Sequence, residues 1–477
     1  MKKKKVLLSG PESLSRLNQV LSTSDLATPA LCLVEALWML EKYNSRTKKS
    51  EALWKRANTL FPGGVSHNIR TFGMPTCNSY PPYISRGQDG HIWDVDGNEY
   101  IDWWMTHYSL ILGHNNAAVK KAIQDQSEFG HHFGAPNEPE VRFGEQLQEA
   151  VPLLKRMRFT ASGSESTMYA ARLARAFTGK NLIGKSLGGW HGGNDALAYH
   201  LKHPFSDTPI YDGVSFDFND RESFDMMLKN HGRDLAAVIV EPVIGAGGGI
   251  PPEPEFLRYI REETAARDIV LIFDEIITGF RLRFGTAGDR IFGAAPDLLT
   301  LGKAAAGGMP LGVYGGREDI MALAAPGAIG GQWVGGGTFS SHPLTMVAGL
   351  AVLEQLRAKK GDYSRLNNMG DSFRARLNEM LGDMKAPLVG TGIGSINFIS
   401  HLRLRHEEPI KTPGQLGALF DHRQQDIFQG FLMQEGVFGY HGLGALSFAH
   451  TQEDVEKTLS AISRAIESMR HIKSKRK

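Results

Sequence analysis

The feature that most restricts how this chain can fold is a set of short, nearly unbroken apolar runs separated by stretches of helical period. Residues 236–240 (AAVIV) and 269–273 (IVLIF) show no polar alternation, Leu182-Ile183 is a shorter case, and each run leaves into polar or glycine-rich residues. A strand wetted on one face alternates, so these runs predict strands buried on both faces. Their separation by helical patterns between about residues 115 and 355 predicts an α/β fold, a mostly parallel central sheet covered by helices on both sides. Ligands bind such sheets beyond the carboxyl ends of the strands. The residues that follow each run are therefore where chemistry is to be sought.

The remaining chain is arranged around that sheet. Residues 1–50 predict an N-terminal helical extension, with Leu31, Val34, Leu37 and Trp38 on one stripe of helical period. Residues 51–114 are expected to form the N-terminal segment of a smaller domain; within them, HIWDVDGNEYID (91–102) flanks Asp96-Gly97, a favoured hairpin-turn dipeptide, with apolar residues. Residues 115–358 form the large, ligand-binding domain. Residues 359–477 predict a helix over 363–381, a glycine-punctuated strand region over 389–400 and a closing helix from near Glu453, completing the smaller α+β domain.

Composition narrows the partners. In 477 residues, 53 Lys+Arg nearly balance 51 Asp+Glu, for a formal charge of +2, so no global field recruits nucleic acid or an anionic membrane. The two cysteines, Cys32 and Cys77, cannot build a disulfide framework. Residues 6–8 are too short for the apolar core of a signal peptide, and residues 30–40, interrupted by Glu35, are too short for a membrane span. The expectation is a cytoplasmic protein that acts on a small molecule, with no metal, nucleic-acid or membrane partner. No P-loop, HExxH or GxSxG occurs, and residues 245–249 (GAGGG) run into Pro251-Pro252 instead of a helix, which excludes a dinucleotide fingerprint.

Five segments carry possible chemistry. Run 269–273 ends in Asp274-Glu275, two carboxylates at a strand end that serve either a ligand or the following turn. Lys303 lies among glycines and alanines (TLGKAAAGG), where poor solvation favours the neutral, nucleophilic amine; a solvated lysine is the ordinary alternative. Ser162-Gly163-Ser164-Glu165 opens a helix and offers backbone N–H groups to an anion, or is a plain N-cap. Residues 335–341 (GGGTFSS) are a second glycine-rich turn with hydroxyls, fit for a phosphate or merely flexible. Trp190-His191, set between glycine pairs, suits stacking on a planar ring or packing in the core.

A nucleophilic lysine, an acid at a strand end, an aromatic plate and two phosphate-type turns are the parts that pyridoxal phosphate requires. With Pro62-Gly63-Gly64-Val65, Trp93 to Gly97 (WDVDG), Trp190-His191-Gly192, Asp274 to Arg281 (DEIITGFR), Pro296-Asp297 through Lys303, Gly337-Thr338-Phe339 and Ala449-His450-Thr451, the sequence resembles class III (subgroup II) aminotransferases of fold type I, most of all their glutamate-1-semialdehyde 2,1-aminomutase-like branch. The resemblance runs from about Phe61 to about Glu456. It implies pyridoxal 5'-phosphate as cofactor, Lys303 as the lysine that forms a Schiff base with it and shuttles the proton, and Asp274 as partner of its pyridine nitrogen. It further implies Ile276 and Trp190 on the two ring faces with His191 beside them, and Gly163 and Ser164 at the phosphate. Thr338 matches a threonine that the neighbouring subunit gives to the same phosphate, which implies a homodimer with shared active sites. Arg70 matches an arginine that holds a substrate carboxylate.

Departures from the aminomutase pattern at His67-Asn68, Ser395 to Phe398 and Tyr440 to Gly444 favour a ping-pong transaminase between a carboxylate-bearing amine, such as an α- or β-amino acid, and a keto acid. The aminomutase reaction, or a racemase or decarboxylase on the same fold, is the alternative. A non-catalytic relative is disfavoured by retention of both Asp274 and Lys303.

Overall fold

The structure is a computed structural model and describes residues 42–77, 79–198, 213–328, 335–440 and 442–474. The expected helical stripe at residues 31–38 and Cys32 lie outside the described residues.

Fourteen strands are named here in chain order: β1 Ile84–Gln88, β2 His91–Asp94, β3 Glu99–Asp102, β4 Arg156–Thr160, β5 Leu182–Ser186, β6 Val214–Phe216, β7 Leu235–Val240, β8 Val270–Asp274, β9 Leu298–Gly302, β10 Gly312–Gly316, β11 Leu388–Ile393, β12 Ile396–His401, β13 Val437–Phe438 and β14 Gly444–Ala445. Seven of them form the central sheet in the order β4-β10-β9-β8-β7-β5-β6. All its pairings are parallel except those of β10, which runs against both β4 and β9. The expected α/β sheet is present, and each apolar run is one of its inner strands.

Burial of both faces explains why those runs lack alternation. On one face Leu271 and Phe273 of β8 join Val238 and Val240 of β7 in a core closed by Phe143, Leu257, Ile260, Met346 and Val352 from surrounding helices. On the other face Val270 and Ile272 join Ala237 and Ile239 against Ala170, Leu173 and Ala174 of helix α1 (Gly163–Thr178). Alanines on both partners let α1 lie close to the sheet. Burial of each large aliphatic side chain contributes about 1.5–3 kcal/mol.

The N- and C-terminal segments share the smaller α+β unit. The 91–102 hairpin forms as expected, with His91 opposite Ile101 and Ile92 opposite Tyr100, and β13 adds in parallel beside β3. The 363–381 expectation is realised as helix α2 (Tyr363–Asp383), the 389–400 region as the β11–β12 hairpin, and the closing helix as α3 (Gln452–Ser474). Trp103, Phe373, Phe428, Ile462 and Ile466 share its core. A helix at Lys48–Leu60 crosses the expected boundary at residue 50, and Asp96 of the hairpin turn accepts hydrogen bonds from Lys49 N at 2.6 Å and Ser50 N at 3.0 Å. Among the described residues no helix is long and apolar enough to cross a membrane.

Candidate active site

The carboxyl ends of β7, β8 and β9 open onto one cavity of about 290 Å³. Its lining includes Asp274, Ile276, Lys303, Gly163, Ser164 and Trp190, so six of the residues singled out from sequence meet in one place.

Asp274 is the last residue of β8 and is buried. Its carboxylate is held from three sides: Thr300 Oγ1 donates to Oδ1 at 3.0 Å, Ile276 N to Oδ1 at 3.2 Å, and His191 Nδ1 lies 2.8 Å from Oδ2. His191 does not line the cavity. It sits behind Asp274, fully buried, and orients the acid; burial holds its own pKa down while the bond to Asp274 opposes this. Glu275, the second acid of the pair, points away and caps the following turn, accepting from Thr278 Oγ1 at 2.7 Å, Ala287 N at 2.9 Å and Gly288 N at 2.7 Å. Glu275 thus realises the turn reading, while Asp274 lines the cavity.

Lys303 begins a short turn directly after β9 with φ 35, a left-handed backbone that presents its side chain to the cavity. Burial pushes its pKa down, favouring the neutral amine, while the carboxylates of Asp274 and Glu241 pull it back up. Ser162 caps α1, its Oγ accepting from Glu165 N at 3.3 Å, and Glu165 Oε2 returns to Ala161 N at 2.9 Å. Ser162 is therefore an N-cap, and the next two residues, Gly163 and Ser164, line the cavity with the free N–H end of the helix behind them.

Two expected residues lie elsewhere in this chain. Thr338 stands exposed on the 338–340 turn and does not line the cavity. Arg70 is exposed, close enough to the mouth to influence His107 electrostatically.

Sequence reading missed two parts of the site. Glu241 follows β7, lines the cavity and accepts from Trp190 N and Gly245 N, each at 2.9 Å. Burial, then the charge of Asp274, pushes its pKa well up. The rule that sends chemistry to strand ends points directly at it. The second part is Thr106, His107 and Ser109 at the cavity mouth. Met105, Thr106, His107 and Tyr108 have φ of 43, 54, 57 and 71, a left-handed turn built without glycine. Left-handed backbone costs about 1–2 kcal/mol per residue, and such strain persists where surrounding structure enforces it. Here Asp102 Oδ1 accepts from Met105 N at 3.0 Å, and Nη2 of the buried Arg281 donates to Tyr108 O at 2.7 Å. No motif or period announces such a turn.

Comparison with known proteins agrees with this geometry. The family model described as aminotransferase class-III matches residues 76–391. The chain is 38% identical over 428 residues to a glutamate-1-semialdehyde 2,1-aminomutase of Methanosarcina acetivorans, a match covering 87% of this chain and 97% of that protein. Among solved structures it is similar to an omega-transaminase from Sphaerobacter thermophilus (33% identity, TM-score 0.76, 88% of this chain and 98% of that one). It is also similar to a β-phenylalanine aminotransferase from Variovorax paradoxus (29% identity, TM-score 0.82, 91% and 97%). With its strand-end lysine and acid in one cavity and relatives matched over nearly their whole length, this chain belongs to the class-III aminotransferases, enzymes that depend on pyridoxal phosphate.

Proposed function

We propose that the enzyme moves an amino group on a carboxylate-bearing substrate, and that it does so by exchange within one molecule, the reaction for which its aminomutase relatives are named. The observation that carries the amino-transfer part is the cavity itself, where a half-buried lysine amine faces two strand-end carboxylates. The intramolecular part rests on the 38% identity to an aminomutase along nearly its entire length, and so favours the reaction that sequence departures ranked second.

The residues present fit pyridoxal phosphate. Backbone approaches closely at the phosphate end: a Cβ on Gly163 would meet Ile276 Cδ1 at 2.5 Å, and one on Gly192 would meet Ser164 Oγ at 2.5 Å. Asp274, fixed by His191 and Thr300, suits a protonated ring nitrogen; Trp190 and Ile276 suit the ring faces; Gly163 and Ser164 suit the phosphate. The cofactor supplies the electron sink. Lys303, kept poorly solvated, would hold the cofactor, and its neutral amine would take up and return a proton at Nζ. Arg70, with no hydrogen-bond partner among the described residues, meets the substrate carboxylate. Thr338, exposed beside Phe339 with 59% exposure, is contributed to the cavity of a second copy, giving a homodimer.

The second reading, transfer between an amine and a separate keto acid, is supported by the likeness to the omega-transaminase and by His67-Asn68 and Ser395 to Phe398. One experiment separates the two. Purified enzyme is supplied with glutamate-1-semialdehyde alone, and with amines in the presence and absence of keto acids, with Lys303→Ala as control. Isomerisation without an acceptor establishes the first reading. Strict dependence on a keto acid overturns it in favour of the second.

A further inference from the structure

His107 stands at the mouth of the cavity with its imidazole among the lining groups. Among the described residues it makes no hydrogen bond, although both ring nitrogens are polar atoms and the ring is half-buried. Its position is not loosely determined. The ring packs on Trp104 with centroids 4.2 Å apart and on His67 at 5.7 Å, and its backbone belongs to the left-handed turn held by Asp102 and Arg281. A strained turn that ends in an unbonded imidazole facing a cavity is a device for presenting that imidazole.

The groups around it define what it presents to. Burial, then electrostatic coupling to Lys303, His67 and Arg70, pushes its pKa down to about 3, so at neutral pH it is an uncharged ring with one N–H to donate. His67 accepts from Ile69 N through Nδ1 at 3.3 Å, leaving its own N–H on the far side of that ring. The imidazole donors and the Arg70 guanidinium thus collect at the mouth, while the carboxylates Asp274 and Glu241 occupy the floor with Lys303.

We propose that His107 is a specificity-determining residue, whose imidazole donates a hydrogen bond to a carboxylate oxygen of the substrate beside the Arg70 guanidinium. This deepens the proposed function and rests on it for the identity of the reacting end. The carboxylate binds at the mouth and the amine or carbonyl reaches Lys303. An amine of similar size without the carboxylate leaves the N–H of His107 unpaired and is rejected.

The test uses glutarate, which has carboxylates but no amine to react, titrated calorimetrically into the full-length protein with and without pyridoxal phosphate. His107→Phe keeps the packing on Trp104 without the donor; His107→Asn keeps a donor in a residue tolerant of left-handed backbone. Expected is roughly tenfold weaker glutarate binding in His107→Phe, with most of it restored in His107→Asn. With holoenzyme, the preference for 3-aminobutanoate over 2-aminopentane should fall by a similar factor. Unchanged glutarate affinity in His107→Phe, or no saturable binding to the unaltered protein, overturns the inference. Failure of the unaltered protein to develop a visible cofactor band instead overturns the proposed function, and is read separately by absorbance.

Discussion

The floor and the mouth of the cavity are built on different physical grounds. The floor stands on the ends of β7, β8 and β9, whose strands are buried on both faces, and its groups are fixed by neighbours within the sheet, as Asp274 is by Thr300. The mouth stands on a left-handed turn that its own residues disfavour and that distant segments hold in place, Arg281 from beyond β8 binding Tyr108 O and, through Nη1, Leu446 O at 2.8 Å. A floor of this kind serves chemistry common to a family. A mouth held from outside the sheet can be rebuilt without disturbing it, and is where the proposed function places the discrimination between substrates.

That division can be broken at several points. The largest effect is expected at the floor: Lys303→Ala should lower turnover on the order of 10⁴-fold, the upper range for a positioned proton-transfer group, with thermal stability unchanged because the amine makes no hydrogen bond among the described residues. Steady-state rates and a melting curve check both halves. The adjacent acids should then separate. Asp274→Asn is expected to reduce turnover about 10²–10³-fold with the fold intact, whereas Glu275→Gln should spare turnover and cost about 1–3 kcal/mol, since an amide cannot accept from Thr278, Ala287 and Gly288 together. Denaturant titration beside kinetics shows whether the losses fall this way; equal loss of activity in both would erase the distinction.

Arg281→Lys tests the mouth from behind. It cannot span both Tyr108 O and Leu446 O in the same fork, so about 1–3 kcal/mol of stability should be lost and KM should rise more than the dissociation constant of pyridoxal phosphate. A weakening confined to cofactor binding would place Arg281 with the floor. The smallest effect is expected for Thr106→Gly. Glycine removes a left-handed penalty of about 1–2 kcal/mol at an exposed position and loses roughly 0.5–1 kcal/mol to chain entropy, for a net gain in stability of about 0–1.5 kcal/mol, read from denaturant titration. Loss of stability would mean that the turn is not strained at that residue.

What the sequence determined by itself follows from local rules. Short runs without alternation, separated by helical patterns, fit strands covered on both sides, so the sheet and the strand-end position of Asp274 were legible from residues 236–240 and 269–273, while Lys303 stood out by its small, glycine-rich surroundings and not by a strand before it. Glu241 was legible by the same rule and was passed over. Tertiary structure alone decided which way each strand-end group turned. It put Glu275 on the turn, His191 behind Asp274 and Thr338 on the surface. It also decided the mouth, where His107 is aimed by Asp102 and Trp104 just before it and by Arg281 from far along the chain. A hydrophobic period records which face of an element is buried. It does not record a backbone conformation that its own residues oppose, because the energy that enforces such a turn comes from contacts made only after the chain has folded.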